Sequence, residues 1–93
     1  MTDPDERWHV VVIASAQRGL ARLPRKAIAA CLEFCAGPLS YDPRRVGKPL
    51  GDDLAGYHAA RRGEYRIVYK ILTEPCMVKV VRIEHRADVY RAR

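Results

Sequence analysis

The nonapeptide Arg61-Arg62-Gly63-Glu64-Tyr65-Arg66-Ile67-Val68-Tyr69 sets the architecture of this chain. Its Gly-Glu pair fits a two-residue hairpin turn with glycine at the first central position. Residues 57–60 then form the partner strand, and Arg61 lies directly opposite Arg66. Like charges that face each other across a ladder destabilise it by about 0.2–1 kcal/mol. This register predicts an anion between the two arginines, and the alternative is a pair of solvated arginines on an open sheet face.

The strand after the turn has two unlike faces, because side chains alternate across a strand. One face carries only apolar and aromatic residues: Tyr65, Ile67, Tyr69 and Ile71. The opposite face carries Arg66, Val68 and Lys70. We therefore expect a sheet with one buried face and one cationic face.

The residues before the hairpin predict a strand and two helices. Trp8 to Ile13 is rich in β-branched residues and is typical of a strand. Ser15 is a suitable N-cap for a helix over residues 16–23, which ends where Pro24 disfavours the helical conformation. A second helix is expected over residues 25–36, and Gly37-Pro38 stops it. Its buried face is predicted to hold Ile28, Cys31, Leu32 and Cys35.

The remainder completes one small domain. Residues 37–56 are rich in glycine, proline and aspartate and predict a long loop, and residues 77–83 predict a fourth strand. The fold class is therefore α+β with the order β-α-α-β-β-β, an antiparallel sheet with a helical hairpin packed on one face. The 93 residues suffice for a single domain, 1–93, with residues 1–7 as a flexible polar lead.

Composition narrows the classes of protein. Hydrophobic residues make up 48% and charged residues 30%, which is typical of a globular domain rather than a disordered one. No apolar run reaches the length of a membrane span, and the acidic start predicts no secretory signal. Three cysteines are an odd count and predict no disulfide framework. We therefore expect a cytoplasmic protein without a membrane partner.

Positive charge is concentrated in the second half of the chain. Residues 1–40 hold five basic and four acidic residues, whereas residues 41–93 hold twelve basic and seven acidic ones. The excess thus accompanies the hairpin and the residues after it. A basic half of this kind indicates an anionic partner, with nucleic acid first and an acidic protein second.

Four segments together resemble the RelE/ParE superfamily of toxins from bacterial toxin–antitoxin pairs, and in particular its RelE side. They are Leu20-Ala21-Arg22-Leu23-Pro24, Gly47-Lys48-Pro49-Leu50, the nonapeptide, and His85-Arg86-Ala87-Asp88-Val89-Tyr90. The resemblance implies a ribosome-dependent mRNA endonuclease that inhibits translation, with a cognate antitoxin protein, the ribosome and mRNA as partners. It also implies chemistry without a metal or other cofactor, in which the RNA 2′-hydroxyl attacks the adjacent phosphate.

The resemblance also implies roles for particular residues. Arginine forks suit a phosphate in its transition state, and an exposed tyrosine suits base stacking. The catalytic residues implied in this way are Arg61, Arg66, His85, Arg86 and Tyr90. Further basic residues of the loop and hairpin are expected to bind RNA: Arg44, Arg45, Lys48, His58, Arg62 and Lys70. His85 could instead cap a strand end, and Tyr90 could be buried in the core.

One departure from the family pattern leaves the general base open. The pattern carries lysines on the first strand of the hairpin, where this chain has His58, Ala59 and Ala60. The candidates are therefore His58, His85 and Lys48. Two other functions remain open at this point: a ParE-like inhibitor of DNA gyrase without nuclease activity, and an RNA-binding module without chemistry. His85, Arg86 and Tyr90 favour the nuclease, because a gyrase binder has no need of them.

Overall fold

The structure, a computed structural model, describes residues 7–85 as one sheet covered by helices on one face. Strand β1 is followed by three helices, and strands β2 to β5 come after them. The elements are β1 (His9–Val12), α1 (Ala14–Ala21), α2 (Arg25–Ala36), α3 (Pro38–Tyr41), β2 (Lys48–Pro49), a 3-10 turn (Asp52–Leu54), β3 (Tyr57–Arg62), β4 (Tyr65–Leu72) and β5 (Met77–His85). The predicted α+β fold with a helical hairpin on one sheet face is confirmed.

The central hairpin has the predicted register. Strands β3 and β4 are antiparallel, with Arg61 opposite Arg66 and Arg62 opposite Tyr65. Gly63 has φ of 61°, a value in the region that side chains with a Cβ rarely adopt, so glycine is required at this first turn position. The meander continues antiparallel from β4 to β5, with one register shift beside Val68 and Tyr69.

The sheet is not wholly antiparallel, which corrects the prediction. Its five strands have the order β1-β5-β4-β3-β2, and β1 pairs with β5 in parallel. Strand β5 is the last strand of the meander and would be an edge strand if β1 were absent. Strand β1 runs parallel to β5 and pairs with part of that edge. The second addition is β2, a two-residue strand from the long loop that pairs with β3.

The helices lie close to their predicted positions, with two local differences. Helix α1 begins at Ala14 rather than after Ser15, because β1 leads into it almost directly: Ile13 N–H donates to the Val80 carbonyl, and Gln17 N–H to the Ile13 carbonyl. The Ser15 hydroxyl donates to the Val81 carbonyl at 3.5 Å instead of capping the helix. Helix α1 also ends at Ala21, two residues before its predicted end, and Pro24 precedes α2 in an extended conformation.

The core lies between the helices and one sheet face. It contains residues from α1, α2, α3 and the three meander strands: Ala16, Leu20, Cys31, Phe34, Cys35, Leu39, Ala60, Ile67, Tyr69, Val78, Val80 and Ile83. The prediction for Leu32 was wrong, since this side chain is 46% exposed. The buried face of α2 instead includes Ala27 and Phe34, so the helix is rotated relative to the predicted apolar stripe.

The cysteines of α2 are core residues. Cys31 and Cys35 are buried free thiols, whereas Cys76 is exposed. Burial raises the pKa of the Cys35 thiol to about 11, and the neighbouring Cys31 adds to this effect. A thiol that stays protonated is a poor nucleophile and metal ligand, so packing accounts for this pair. Within residues 7–85, no helix is long and apolar enough to cross a membrane.

Candidate nucleic-acid interface

The sheet face opposite the helices is basic. Residues paired across strands share a face, so the register places six cations and one carboxylate on this open face: Lys48, Arg61, Arg66, Lys70, Lys79, Arg82 and Glu84. Arg82 Nε and Glu84 Oε1 lie 3.9 Å apart and form an ion pair between an exposed arginine and a half-buried carboxylate. The other cations give this face a positive field that attracts polyanions.

A groove crosses the open face between the 42–50 loop and the hairpin. Its volume is about 610 Å³. Four of its lining residues are basic, Arg45, Lys48, Arg61 and Arg66, and the others are small or apolar. No carboxylate is among these lining residues, so the structure concentrates positive charge here without neutralising it. We call this feature the arginine groove.

Arg66 is the most constrained cation of the arginine groove. Its side chain is half-buried, beside Val68, which is only 3% exposed. Its Nε–H is buried and has no hydrogen-bond partner within the described residues. A buried donor without an acceptor costs about 1–3 kcal/mol, more when it is charged. Together with the repulsion from Arg61 opposite it, this cost favours binding of an anion whose oxygens accept from both guanidinium groups.

The loop wall of the arginine groove is fixed by one buried tyrosine. The Tyr69 hydroxyl donates to the Pro43 carbonyl at 2.6 Å, and neither residue is accessible to solvent. Burial raises the pKa of Tyr69 to about 12, with a smaller contribution from Asp42, so the hydroxyl stays protonated and remains a donor. This bond ties the loop that carries Arg45 and Lys48 to the central strand.

Gly47 allows the loop to approach Tyr69, and we expect Gly47→Ala to destabilise the protein by about 2–4 kcal/mol. A Cβ at this position would lie 2.2 Å from the Tyr69 hydroxyl oxygen and 2.9 Å from the Ala59 carbonyl oxygen. Either the loop or Tyr69 must move, and the bond to Pro43 would be lost. Urea denaturation followed by circular dichroism measures the change.

Gly51→Ala is the matched control for this prediction. It lies in the same loop with extended backbone angles, and a Cβ there meets no atom within 4 Å. This substitution should be neutral or stabilising by up to about 1 kcal/mol, because alanine restricts the unfolded chain. Equal unfolding free energies for Gly47→Ala and the wild type would show that the loop is not clamped here.

The predicted site residues do not all share the arginine groove. Arg61, Arg66, Arg45 and Lys48 line it together, and Lys70 lies farther along the same face, opposite Tyr57. His58 lies on the helix-facing side, with its ring stacked 5.7 Å from that of Tyr69. Arg62 also points to the helix side, where its guanidinium lies 5.1 Å from the Phe34 ring centroid. Both lie there because they alternate with Ala59 and Arg61 along β3.

His85 contributes to a second cavity, of about 940 Å³, between α1 and the end of the sheet. It lies opposite Tyr65 at the start of β4, and the two rings meet edge to face at 5.2 Å. The pairing of Arg66 with Glu84 puts His85 on the other sheet face from the arginine groove. The predicted residues Arg86 and Tyr90 lie outside the described residues.

Two arginines that sequence reasoning missed also line this second cavity. Arg18 of α1 and Arg22, which caps the end of that helix, line the cavity together with His85 and Arg82. Helix α1 comes close to β5 because Gly19 has no side chain, since a Cβ there would lie 2.5 Å from the Ile83 carbonyl oxygen. The i, i+4 spacing of the two arginines was the available signal, because residues four apart share one helix face.

Comparison with protein families identifies the superfamily. Residues 10–90 match the family model of the ParE toxin of the type II toxin–antitoxin system parDE. Toxin RelE of Mycobacterium tuberculosis is 49% identical over 87 residues, which cover 94% of this chain and 90% of the relative. Toxin RelG of the same organism is 51% identical over 77 residues, which cover 83% and 88% of the two chains.

Solved structures agree with this assignment. A chain of the RelBE2 toxin–antitoxin complex from Mycobacterium tuberculosis superposes with a TM-score of 0.83 at 45% identity, over 86% of this chain and 99% of the other. The isolated Escherichia coli RelE toxin gives a TM-score of 0.69 at 17% identity, over 90% and 92% of the two chains, which shows a shared fold. The chain therefore belongs to the RelE/ParE superfamily and is a RelE-like toxin of a type II toxin–antitoxin system.

Proposed function

We propose that this toxin is a ribosome-dependent mRNA endonuclease and that the arginine groove binds the scissile phosphate. The observation that carries the proposal is the direct opposition of Arg61 and Arg66, with Arg45 and Lys48 beside them and no carboxylate in the groove lining. A phosphate supplies acceptors for both guanidinium groups. These donors also match the charge that grows on the phosphate oxygens in the transition state.

The proposed reaction is an internal transesterification of RNA. The 2′-oxygen attacks phosphorus while a base removes its proton, and the bond from phosphorus to the 5′-oxygen breaks. The leaving oxygen takes up a proton, so the products are a 2′,3′-cyclic phosphate and a free 5′-hydroxyl. No oxidation or reduction occurs. The protein has to hold the phosphate in line, stabilise the added negative charge and exchange protons.

Lys48 is the candidate base that the groove favours. It pairs opposite Ala59, so it lies on the open face next to the strand where the family pattern carries lysines. It lines the arginine groove with Arg61 and Arg66, whereas the other two candidates, His58 and His85, lie on the helix side of the sheet. A lysine from the neighbouring strand thus compensates for the alanines of β3. His85, Arg86 and Tyr90 then remain candidates for substrate contacts at the sheet end.

We also propose a cognate antitoxin as the partner protein, because the similar structures include toxin–antitoxin complexes. The basic open face suits an acidic or amphipathic segment that lies along it as an extended strand or a helix. Charge complementarity should act mainly on the association rate. An association rate that falls as salt increases is expected, and a rate indifferent to salt would contradict electrostatic steering.

A translation extract programmed with mRNA tests the proposed activity. We expect cleavage within ribosome-bound codons, with cyclic phosphate on the upstream fragment, and no cleavage of the same message without ribosomes. The family match to a ParE toxin makes gyrase the second candidate target, so the same protein is added to a supercoiling assay. Intact message together with lost supercoiling would identify a gyrase inhibitor. Binding of RNA without cleavage and without loss of supercoiling would identify a non-catalytic RNA-binding module.

A further inference from the structure

A second cluster of exposed arginines and aromatic rings lies where the N-terminal strand meets the loop. The Arg44 guanidinium lies 5.2 Å from the Trp8 ring centroid, and the Arg7 guanidinium lies 4.3 Å from the Tyr41 ring centroid. Arg7 also donates a hydrogen bond to the Tyr41 hydroxyl. We call these four residues the aromatic–arginine cluster, and none of them belongs to the arginine groove lining.

The cluster is accessible to solvent, and hydrogen bonds fix the backbone segments that carry it. Tyr41 is 53% exposed, both arginines are exposed, and Trp8 is half-buried. Trp8 is fixed by its backbone, because its N–H donates to the Ser40 carbonyl at 2.8 Å. The segment that carries Arg44 is fixed by the hydrogen bond that the Tyr69 hydroxyl donates to the carbonyl of the preceding residue, Pro43. Rings and guanidinium planes are therefore presented to solvent at low entropic cost.

The described part of the chain contains no ion-pair partner for the charges of the cluster. Within residues 7–85, neither Arg7 nor Arg44 forms a salt bridge with a carboxylate. Asp42, two residues before Arg44, forms no ion pair with it, and the Asp42 carbonyl accepts the backbone N–H groups of Arg45 and Val46. Two cations that lie over aromatic rings, one exposed and one half-buried, therefore remain available to a ligand that offers both negative charge and a flat surface.

We propose that the aromatic–arginine cluster binds unpaired RNA nucleotides, an inference that rests on the proposed function. An unstacked base is flat and its phosphate is anionic. The guanidinium and aromatic planes can therefore stack on the base, while the arginine charges attract the phosphate. The cluster is continuous with the arginine groove along the chain. Arg44 extends to Trp8, while the next residue, Arg45, lines the groove. The single strand that enters the groove, or a ribosomal nucleotide beside it, can thus reach both.

The protein carries its own probe for this test, because Trp8 is its only tryptophan. Arg66→Ala provides a background in which the RNA is not consumed. We expect oligouridylate and oligoadenylate 12-mers to quench the Trp8 emission. Inorganic polyphosphate of equal charge should quench it far less, because it has no bases. Equal quenching by polyphosphate would overturn the stacking inference, as would no quenching when anisotropy shows bound labelled RNA.

Substitutions connect the signal to the cluster. Tyr41→Ala and Arg44→Ala should each weaken the affinity measured by quenching by about tenfold, within the range found for loss of one stacking contact. Arg25→Ala removes an equally exposed arginine at the start of α2 and is the matched control, which should titrate like the background protein. Circular dichroism verifies that each variant is folded. Tyr41→Ala and Arg44→Ala proteins that titrate like the control would overturn the inference.

Ribosome binding distinguishes the two sources of the nucleotide. If the bound nucleotide is ribosomal, Tyr41→Ala should reduce co-sedimentation with message-free ribosomes. If the bound nucleotide belongs to the message, Tyr41→Ala should reduce only the binding to programmed ribosomes. Either result supports the inference, and unchanged binding to both overturns it. Failure of this inference can be distinguished from failure of the proposed function. If the protein cleaves ribosome-bound message but RNA does not change its Trp8 emission, the proposed nuclease activity stands and RNA binding by the cluster is contradicted.

Discussion

Arg66→Ala is expected to lower the rate of message cleavage by about 10²–10³-fold, the usual loss when one transition-state donor is removed. The half-buried guanidinium is the one groove cation with a buried N–H that lacks an acceptor within residues 7–85. Because this guanidinium is partly removed from water, its hydrogen bonds to a phosphate are stronger than those of a fully solvated arginine. Single-turnover cleavage of ribosome-bound message measures the effect, and growth arrest on induction gives the cellular counterpart.

The fold of the Arg66→Ala protein should be unchanged, because the side chain lies on the sheet face opposite the core. Lys79→Ala is the matched control, since it removes an exposed cation from the same face outside the groove lining. Arg66→Lys keeps the charge but not the planar fork, so it should recover only part of the activity. Wild-type cleavage by a soluble, folded Arg66→Ala protein would remove this arginine from the site.

Lys48→Ala is expected to lower the cleavage rate by about 10²-fold or more, the usual contribution of a positioned base. Lys48→Arg should stay nearly as slow, because a guanidinium keeps the charge but does not give up its proton at physiological pH. That pair of variants separates proton transfer from simple attraction to phosphate. Rates are measured under single turnover across a pH series, where a lost base changes the profile as well as the maximum.

Lys70→Ala is the comparison for Lys48, because it removes an exposed lysine on the same face, away from the groove lining. It should reduce the rate far less, since a distant exposed charge is screened by salt. His85→Gln tests the competing assignment. A large loss with His85→Gln and near-normal rates with Lys48→Ala would move the base to the helix-side cavity and contradict the assignment of Lys48.

The sequence by itself determined the central hairpin and the chemistry it offers. Alternation placed Ile67 and Tyr69 on the buried face and Arg66 and Lys70 on the open one, and Gly63 set the turn and hence the register of Arg61 against Arg66. The helix limits near Pro24 and Gly37 also followed from the sequence. These features depend on local rules of backbone geometry and period, which act between residues close together in the chain.

Only the tertiary structure decided which predicted residues meet. Lys48 joins Arg61 because β2 pairs with β3, a contact that the loop composition did not indicate. His85 lies on the other face because β5 has one extra residue, Val81, between the partners of Val68 and Tyr69. A register shift of one residue moves the side chains that follow it to the opposite face. Trp8 meets Arg44 through the packing of β1 beside α3. Such contacts join residues far apart in the chain, and their register is set by packing of the whole sheet rather than by any local pattern.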